Sequence, residues 1–359
     1  MTRIKVGIIG VGNCASGLIQ GVEYYRQSRN MQTGLIHERI GKYSVNDVEF
    51  VSAFDIGETK LGKPLAEAIY SAPNEVQWVE RVPGCERIVM EGPILDGVGV
   101  FAEKMIKPIE QTKSVEELHR EIVQEIRGTG TSVLLNYLPV GSQKATVFWA
   151  NVALETGCAF VNCIPVFVAS DKEWSRRFEE KKLPIIGDDI KSQVGSTIVH
   201  RVLMKLCRDR GAAIDRTYQI NVGGNTDFIN MLERERLESK KISKTEAVQS
   251  QLKDRLEEGN IYIGPSDFIP FLGNRKLAFI RIEGRMFANI PFNMEMRLDV
   301  DDKSTSGGTA IDAVRYAQLG LDRGIGGCLT YPSAYLMKHP PVQMSDEEAR
   351  SKLDEWMNA

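Results

Sequence analysis

"KVGIIGVGNCASGLIQG", residues 5–21, decides the fold. A short β-branched apolar run ends in glycine, and small and apolar residues at helical spacing follow at once; the pattern predicts strand, turn and helix. Within the turn, "GVGNCA" puts Gly10 where the chain must bend tightly and Gly12 where the backbone must come close to a ligand. Ala15 stands where a third small residue lets helix and strand approach. Amides at the opening of that helix are then free to meet phosphates, so the stretch points to a dinucleotide. A glycine turn serving packing alone is the competing reading; the place directly between the first apolar strand and a helix favours the dinucleotide.

Outward from this turn the alternation continues. A polar stretch, Arg26 to Asp47, precedes "VEFVSAFD", a run of strand length closing on Asp55. If the polar stretch is an insertion, Asp55 is the acid that takes the ribose hydroxyls, which favours NAD over NADP. "RIVMEGPILDG" reads as strand and loop, "SVEELHREIVQEIR" as an amphipathic helix opened by Ser114 with Glu117 three residues on, and "TSVLLNYLP" as a buried strand. "SQKATVFWANVALETG" is a helix closed by Gly157, and "AFVNCIP" and "LPIIGDD" are two further strands. Strands alternating with helices imply an α/β fold with a Rossmann-type, doubly wound parallel sheet.

The pattern changes near residue 200. "TYQINVGG", "KLAFIRIEGRMF" and "FNMEMRLDVDD" alternate as strands of a sheet with an antiparallel part. Helical spacing returns at "TAIDAVRYAQLGLDRG", and a last helix opens at Ser345 in "SDEE". The expected organisation is a nucleotide-binding domain of residues 1–200 plus 310–359, with an inserted α+β domain at 201–309.

Composition excludes several classes. With 359 residues, 42% of them apolar, the chain can bury a large core without disulfides. A net charge of −3 without blocks of like charge gives no footprint for nucleic acid or an anionic membrane. No apolar run reaches the ~18 residues of a membrane span, and no leader pattern opens the chain, so a soluble cytoplasmic protein is expected. Six cysteines (14, 85, 158, 163, 207, 328) form no C-x-x-C pair, and four histidines form no H-x-x-x-H pair. Reduced buried thiols are expected, and acid–base chemistry falls to Lys, Asp and Glu.

Three segments carry chemistry. "NVGGNTDF", with Gly223, Gly224, Asn225 and Asp227, reads either as an ordinary turn or as part of a site. In "RLESKKISKTEAVQSQLKDRL", Ser243 and Glu246 have capping-box spacing, which predicts a helix start beside Lys244 with Lys240 and Lys241 just upstream. Free amides and clustered ammoniums there would suit a phosphorylated substrate; a solvated basic face is the alternative. "IIGDDIKSQVGST" puts Asp188 and Asp189 at the carboxyl end of a strand, with Lys191, Ser196 and Thr197 following, where open α/β sheets bind ligands. A helix cap competes with that reading.

Taken with "NCIP", "GNRKLAF", "DDKSTSGG" and "YPSAYLMKHPP", the segments "GVGNCASG", "GDDIKSQVGST", "NVGGNTDF" and "SKKISK" resemble the inositol-3-phosphate synthase family in its short prokaryotic form. They stand in family order from residue 5 to 341. The resemblance implies catalytic lysines at Lys240, Lys244, Lys276 and Lys338, and acidic positions at Asp188 or Asp189, Asp227 and Asp302. It implies cofactor contacts at Gly10, Gly12, Asn13, Cys14, Ala15, Asp55, Asn136 and Asp189. Longer eukaryotic members carry an asparagine-rich glycine loop where this chain has Asn13-Cys14-Ala15, and a lysine after "GQT" where it reads "GST". NAD as cofactor, glucose 6-phosphate as substrate and a homotetramer assembled through the second domain follow from the same resemblance. So does the reaction: oxidation at C5, enolisation at C6, closure on C1 and re-reduction. Lys240 and Lys338 are assigned to the C5 oxygen, Lys276 to the aldehyde oxygen, and Lys244 with the Ser243 cap to the phosphate. The aspartates could hold a divalent metal ion beside the cofactor phosphates or cap helices; both stay open. An ordinary NAD-dependent sugar-phosphate or polyol dehydrogenase and a non-catalytic NAD sensor are the rival functions.

Overall fold

Eleven strands organise the computed structural model, which describes residues 3–28, 33–233 and 238–359. In chain order they are β1 (Ile4–Ile9), β2 (Val48–Asp55), β3 (Val89–Glu91), β4 (Val133–Asn136), β5 (Ala159–Asn162), β6 (Pro184–Ile186), β7 (Ala213–Gly223), β8 (Ile261–Phe268), β9 (Arg275–Arg285), β10 (Pro291–Asp301) and β11 (Gly327–Cys328). The helices between them are α1 (Asn13–Gln27), α2 (Leu65–Ala68), α3 (Val115–Thr129), α4 (Gln143–Thr156), α5 (Lys172–Glu180), α6 (Ser196–Asp209), α7 (Thr226–Asn230), α8 (Glu238–Gln249), α9 (Ser304–Asp322), α10 (Thr330–Leu336) and α11 (Asp346–Asn358).

The first sheet runs β11-β6-β5-β4-β1-β2-β3, all parallel. Its strands are apolar on both faces because helices cover both. Ile4, Val6 and Ile8 of β1 pack with Leu18 and Ile19 of α1 and Ala310, Val314 and Ala317 of α9. On the other face Ile9, Leu134 and Phe160 meet Leu118 and Ile122 of α3 and Trp149 of α4. Helix α3 begins at Ser114, whose hydroxyl accepts from the Glu117 amide in a capping box, and α4 ends at Gly157 in the left-handed region, both as the sequence predicts. Strand order reverses between β1 and β4, which leaves a crevice over their carboxyl ends.

The second sheet runs β10-β9-β7-β8, with β7 and β8 parallel and the other pairs antiparallel. Met204 of α6 and Val248 of α8 pack against Ile263, Ile280 and Ile282, so both helices cover one face. Helix α6 therefore sits on this sheet from Ser196, and α9 sits on the first sheet from Ser304, whereas the sequence reading placed the changeovers at 201 and 310. Residues 1–2 of the expected first domain, 29–32 of the polar stretch and 236–237 at the head of the lysine-rich segment lie outside the described residues.

Candidate active site

Gly10 turns the chain with φ 89°, and a Cβ there would lie 2.9 Å from the Tyr137 carbonyl oxygen. Gly12 opens α1 without a side-chain cap, and a Cβ there would meet nothing within 4 Å. The space above this turn is open and lies beside uncapped helix amides. A crevice runs from here, lined by Gly10, Gly12, Asn13, Cys14, Asp55 and Lys303 among others. Asp55 reaches back to its own loop: Oδ2 accepts from the Val11 amide at 2.6 Å, and Oδ1 from Ile56 and Gly57 at 2.8 and 2.7 Å. Ala15 is fully buried between α1 and the sheet.

Tyr137, Leu138, Cys14, Asp227 and Lys303 also line a second cavity, so the two spaces adjoin. Around this second cavity stand Lys240, Lys244, Lys276, Lys338, Asp189, Asp302 and the Ser196–Thr197 opening of α6. Three separate pieces of chain supply these four lysines. Lys240 and Lys244 lie one turn apart on α8 and share a face. Lys276 opens β9, where antiparallel pairing sets Lys276 opposite Val300 and so brings it beside Asp302 just past β10, with Nζ 3.1 Å from Oδ1. Lys338 follows α10, and its segment pairs back along residues 188–191: Lys338 N–H donates to the Asp189 carbonyl and Lys191 N–H to the Leu336 carbonyl. Its ammonium lies 2.9 Å from Asp189 Oδ1.

Ionisation follows from this crowding. Burial lowers Lys244 well below the ordinary lysine range, and the charges of Lys240, Lys276 and Lys338 push the same way. Burial also lowers Lys240, with Asp227 and Asp189 opposing it. For Asp189 burial works upward, but Lys338 and Lys240 outweigh it and the carboxyl stays below its usual value. Burial pushes the Cys14 thiol up to about 11, so it is protonated and no nucleophile.

Several sequence expectations need correction. The Ser243 capping box does not exist: α8 begins at Glu238, Ser243 lies inside it, and the Ser243 hydroxyl donates to Asp189 Oδ2 at 2.7 Å. No helix start stands at Lys244, so the free helix-opening amides expected there are not supplied by that segment; among the cavity's lining residues is the opening of α6, whose Gly195 N-cap carries no side-chain bond. Asp188 does not line the cavity; its carboxylate accepts from Asn162 Nδ2, from the amides of Val168, Ala169 and Ser170, and from the Ser170 hydroxyl. Burial pushes it up to about 6. Asn136 is fully buried behind the crevice, bonded to Thr146, Asn162 and the Leu138 amide, and so shapes the loop after β4. Asp189, expected among the cofactor contacts, belongs to the lysine cavity. The turn at Gly223–Gly224 is real, with Asn225 capping α7 through the Asp227 amide, and it delivers Asp227 to both cavities.

Sequence reasoning missed Lys303. This residue is 4% exposed and bonded to Asp227 and Asp302 at 2.7 and 2.9 Å. It occupies the N-cap of α9, where the helix dipole disfavours a cation, and that conflict in "DDKST" was the available signal. Among the described residues no three His, Cys, Asp or Glu side chains converge as metal ligands. Nor is any helix among them long and apolar enough to cross a membrane.

Comparison with known proteins places this geometry. Residues 195–303 match the family described as myo-inositol-1-phosphate synthase. The inositol-3-phosphate synthase of Mycolicibacterium smegmatis is 49% identical over 361 residues, covering 99% of this chain and 98% of that protein. The Mycobacterium tuberculosis inositol-3-phosphate synthase is 50% identical over 358 residues, covering 99% and 96%. Among solved structures, a myo-inositol-1-phosphate synthase-related protein from Thermotoga maritima shares the fold, with a TM-score of 0.84 over 99% of this chain and 98% of that one at 23% identity.

Proposed function

The chain belongs to the myo-inositol-1-phosphate synthase family, and from that premise we propose that it converts glucose 6-phosphate to inositol 3-phosphate with no net change of redox state. The observation that carries this reading is the ring of Lys240, Lys244, Lys276 and Lys338 around one cavity that opens into the glycine-turn crevice. An ordinary dehydrogenase would need one base at its hydride centre; four lysines suit a reaction in which negative charge develops on several oxygens in turn.

The crevice fits NAD: open space over Gly12, uncapped α1 amides for a pyrophosphate, and Asp55 at the end of β2. When bound, NAD would supply reversible removal of hydride from the sugar. Everything else falls to this chain. The Ser196–Thr197 opening of α6 holds the phosphate, replacing the site once expected at Ser243. Lys244, whose hold on a proton is weakened by burial and by the neighbouring cations, is a poorer counter-ion for a phosphate and a better acceptor for the C6 proton than an ordinary lysine. Lys240 and Lys338 stabilise charge at the C5 oxygen, and Lys276, tied to Asp302, does so at the aldehyde oxygen during closure.

The same proposal includes a cytoplasmic homotetramer assembled through the second sheet. Its uncovered face carries Tyr218, Ile220, Tyr262 and Phe279, and Ile220 and Phe279 are paired neighbours across β7 and β9. Burying such a face is favourable.

Incubating the protein with glucose 6-phosphate and a trace of NAD, followed by phosphorus NMR, tests the reading. Inositol monophosphate in molar excess over NAD supports it; an oxidised sugar phosphate matched mole for mole by NADH makes the protein a dehydrogenase.

A further inference from the structure

Lys303 sits where the two cavities meet, and its chemistry is unusual for its place. A lysine at a helix N-cap faces the positive end of the dipole and is normally exposed. Here the ammonium is buried and held by Asp227 Oδ2 at 2.7 Å and Asp302 Oδ2 at 2.9 Å. Both carboxylates are kept in place by other groups: Asn225 Nδ2 donates to the same Asp302 oxygen at 3.2 Å, Lys276 holds Oδ1, and Asp227 lies in the first turn of α7. The N-cap amides that Lys303 would leave unpaired are satisfied by Asp301, whose Oδ1 accepts from the amides of Lys303 and Ser304. Two carboxylates therefore hold one ammonium, and Asn225 and Lys276 in turn hold Asp302.

Two facing aspartates at the junction of a dinucleotide crevice and a sugar-phosphate cavity form the place a divalent cation would take. In this chain they do not fit one. Magnesium or manganese needs about six oxygens close to 2.1 Å, whereas the inward oxygens of Asp227 and Asp302 are occupied by Lys303, the other oxygen of Asp302 by Lys276, and no third acid converges there among the described residues. We infer that the Lys303 ammonium is the resident cation of this site, placed between Asp227 and Asp302 where a divalent metal would otherwise sit, so that the enzyme works without one. Unlike a metal ion it is tethered to the chain, and it lines both cavities, so it stabilises negative charge on ligand oxygens at their junction while fixing the two carboxylates.

This deepens the cyclase reading of the same site, and one arm of the test does not depend on that reading. Manganese binding is measured by electron paramagnetic resonance on the chelator-treated protein and on Lys303→Met, which keeps the length of the side chain but not its charge. The wild type is expected to bind no stoichiometric Mn²⁺, and Lys303→Met to gain a site that the further change Asp302→Asn removes. In the cyclase assay the wild type should keep its full rate in chelator, while Lys303→Met, measured below its melting temperature and at saturating NAD, falls roughly 100-fold. Stoichiometric Mn²⁺ on the wild type that is lost in Asp302→Asn overturns the inference even if no cyclase activity is found. So does a wild-type rate abolished by chelator and restored by Mn²⁺, or a Lys303→Met rate within threefold of wild type. Failure of Lys303→Met to fold leaves both wild-type measurements decisive.

Discussion

Lys338 and Asp189 are joined twice: the ammonium lies 2.9 Å from Oδ1, and the Lys338 amide donates to the Asp189 carbonyl at 2.7 Å. A residue near the end of the chain is thereby held over the carboxyl edge of the first sheet. Asp189 also accepts from Ser243, so one carboxylate positions both α8 and Lys338. Asp189→Ala should lower kcat by roughly 100-fold, since it frees two elements that carry lysines. Steady-state kinetics on a variant that still binds NAD decides it; an unchanged kcat would remove Asp189 from the site.

Lys240 stands beside Asp227 and Asp189 in the same cavity. Lys240→Ala should abolish turnover while circular dichroism and the melting temperature stay near wild type. Cyclisation at the normal rate would refute its role at the C5 oxygen.

The two glycines of the first turn make opposite predictions. At Gly12 a Cβ meets no protein atom within 4 Å, so Gly12→Val should fold normally and lose NAD binding. At Gly10 the backbone has φ 89° and Tyr137 O lies 2.9 Å from a Cβ, so Gly10→Ala should cost about 1–3 kcal/mol of stability. Thermal melts with and without NAD separate the two; a destabilised Gly12→Val would mean that the space above the turn is needed by the fold.

If Lys244 takes a proton from the substrate, only its neutral form works. Its folded-state affinity for protons is lowered by burial and by neighbouring lysines, so kcat should rise with pH through that lowered value and level off well below the ordinary lysine range. Lys244→Gln should lose both the rate and this acid limb. An acid limb that survives the substitution belongs to another group.

Asp346 binds two buried cations, Lys191 at 3.0 Å and Arg201 at 3.2 Å, which are 2% and 0% exposed. Asp346→Ala leaves both with neutral hydrogen-bond acceptors but without this carboxylate, and should cost about 3–5 kcal/mol in urea unfolding. Burial first, and then Arg201, lowers Lys191 to about 8. The folded chain therefore binds fewer protons here than the unfolded one, and wild-type stability from this group rises between about pH 8 and the ordinary lysine value. A variant as stable as wild type at pH 7 would show that the network contributes nothing.

Local pattern was enough for much of the fold. The strand–turn–helix at Gly10, β2 ending on Asp55, the Ser114 box and the Gly157 stop all depend on residues within one turn or one strand of each other. The same local reasoning misled at Ser243, because capping-box spacing also occurs inside a helix: α8 begins at Glu238, and the Ser243 hydroxyl turns to Asp189 instead of capping an amide.

The sequence by itself determined the α/β order, the glycine turn between β1 and α1, and which residue types were available for chemistry. Tertiary structure alone decided which of them meet. Asp188 and Asp189 are adjacent in the chain, yet one is saturated by the 168–170 loop and the other by Lys338 and Ser243. Lys276 reaches Asp302 through the register of β9 on β10, Lys338 arrives by pairing with residues 188–191, and Lys303 closes the junction. Register and long-range pairing depend on contacts between distant segments, and a lysine's charge state depends on the company those contacts give it; neither is written in the spacing of neighbouring residues.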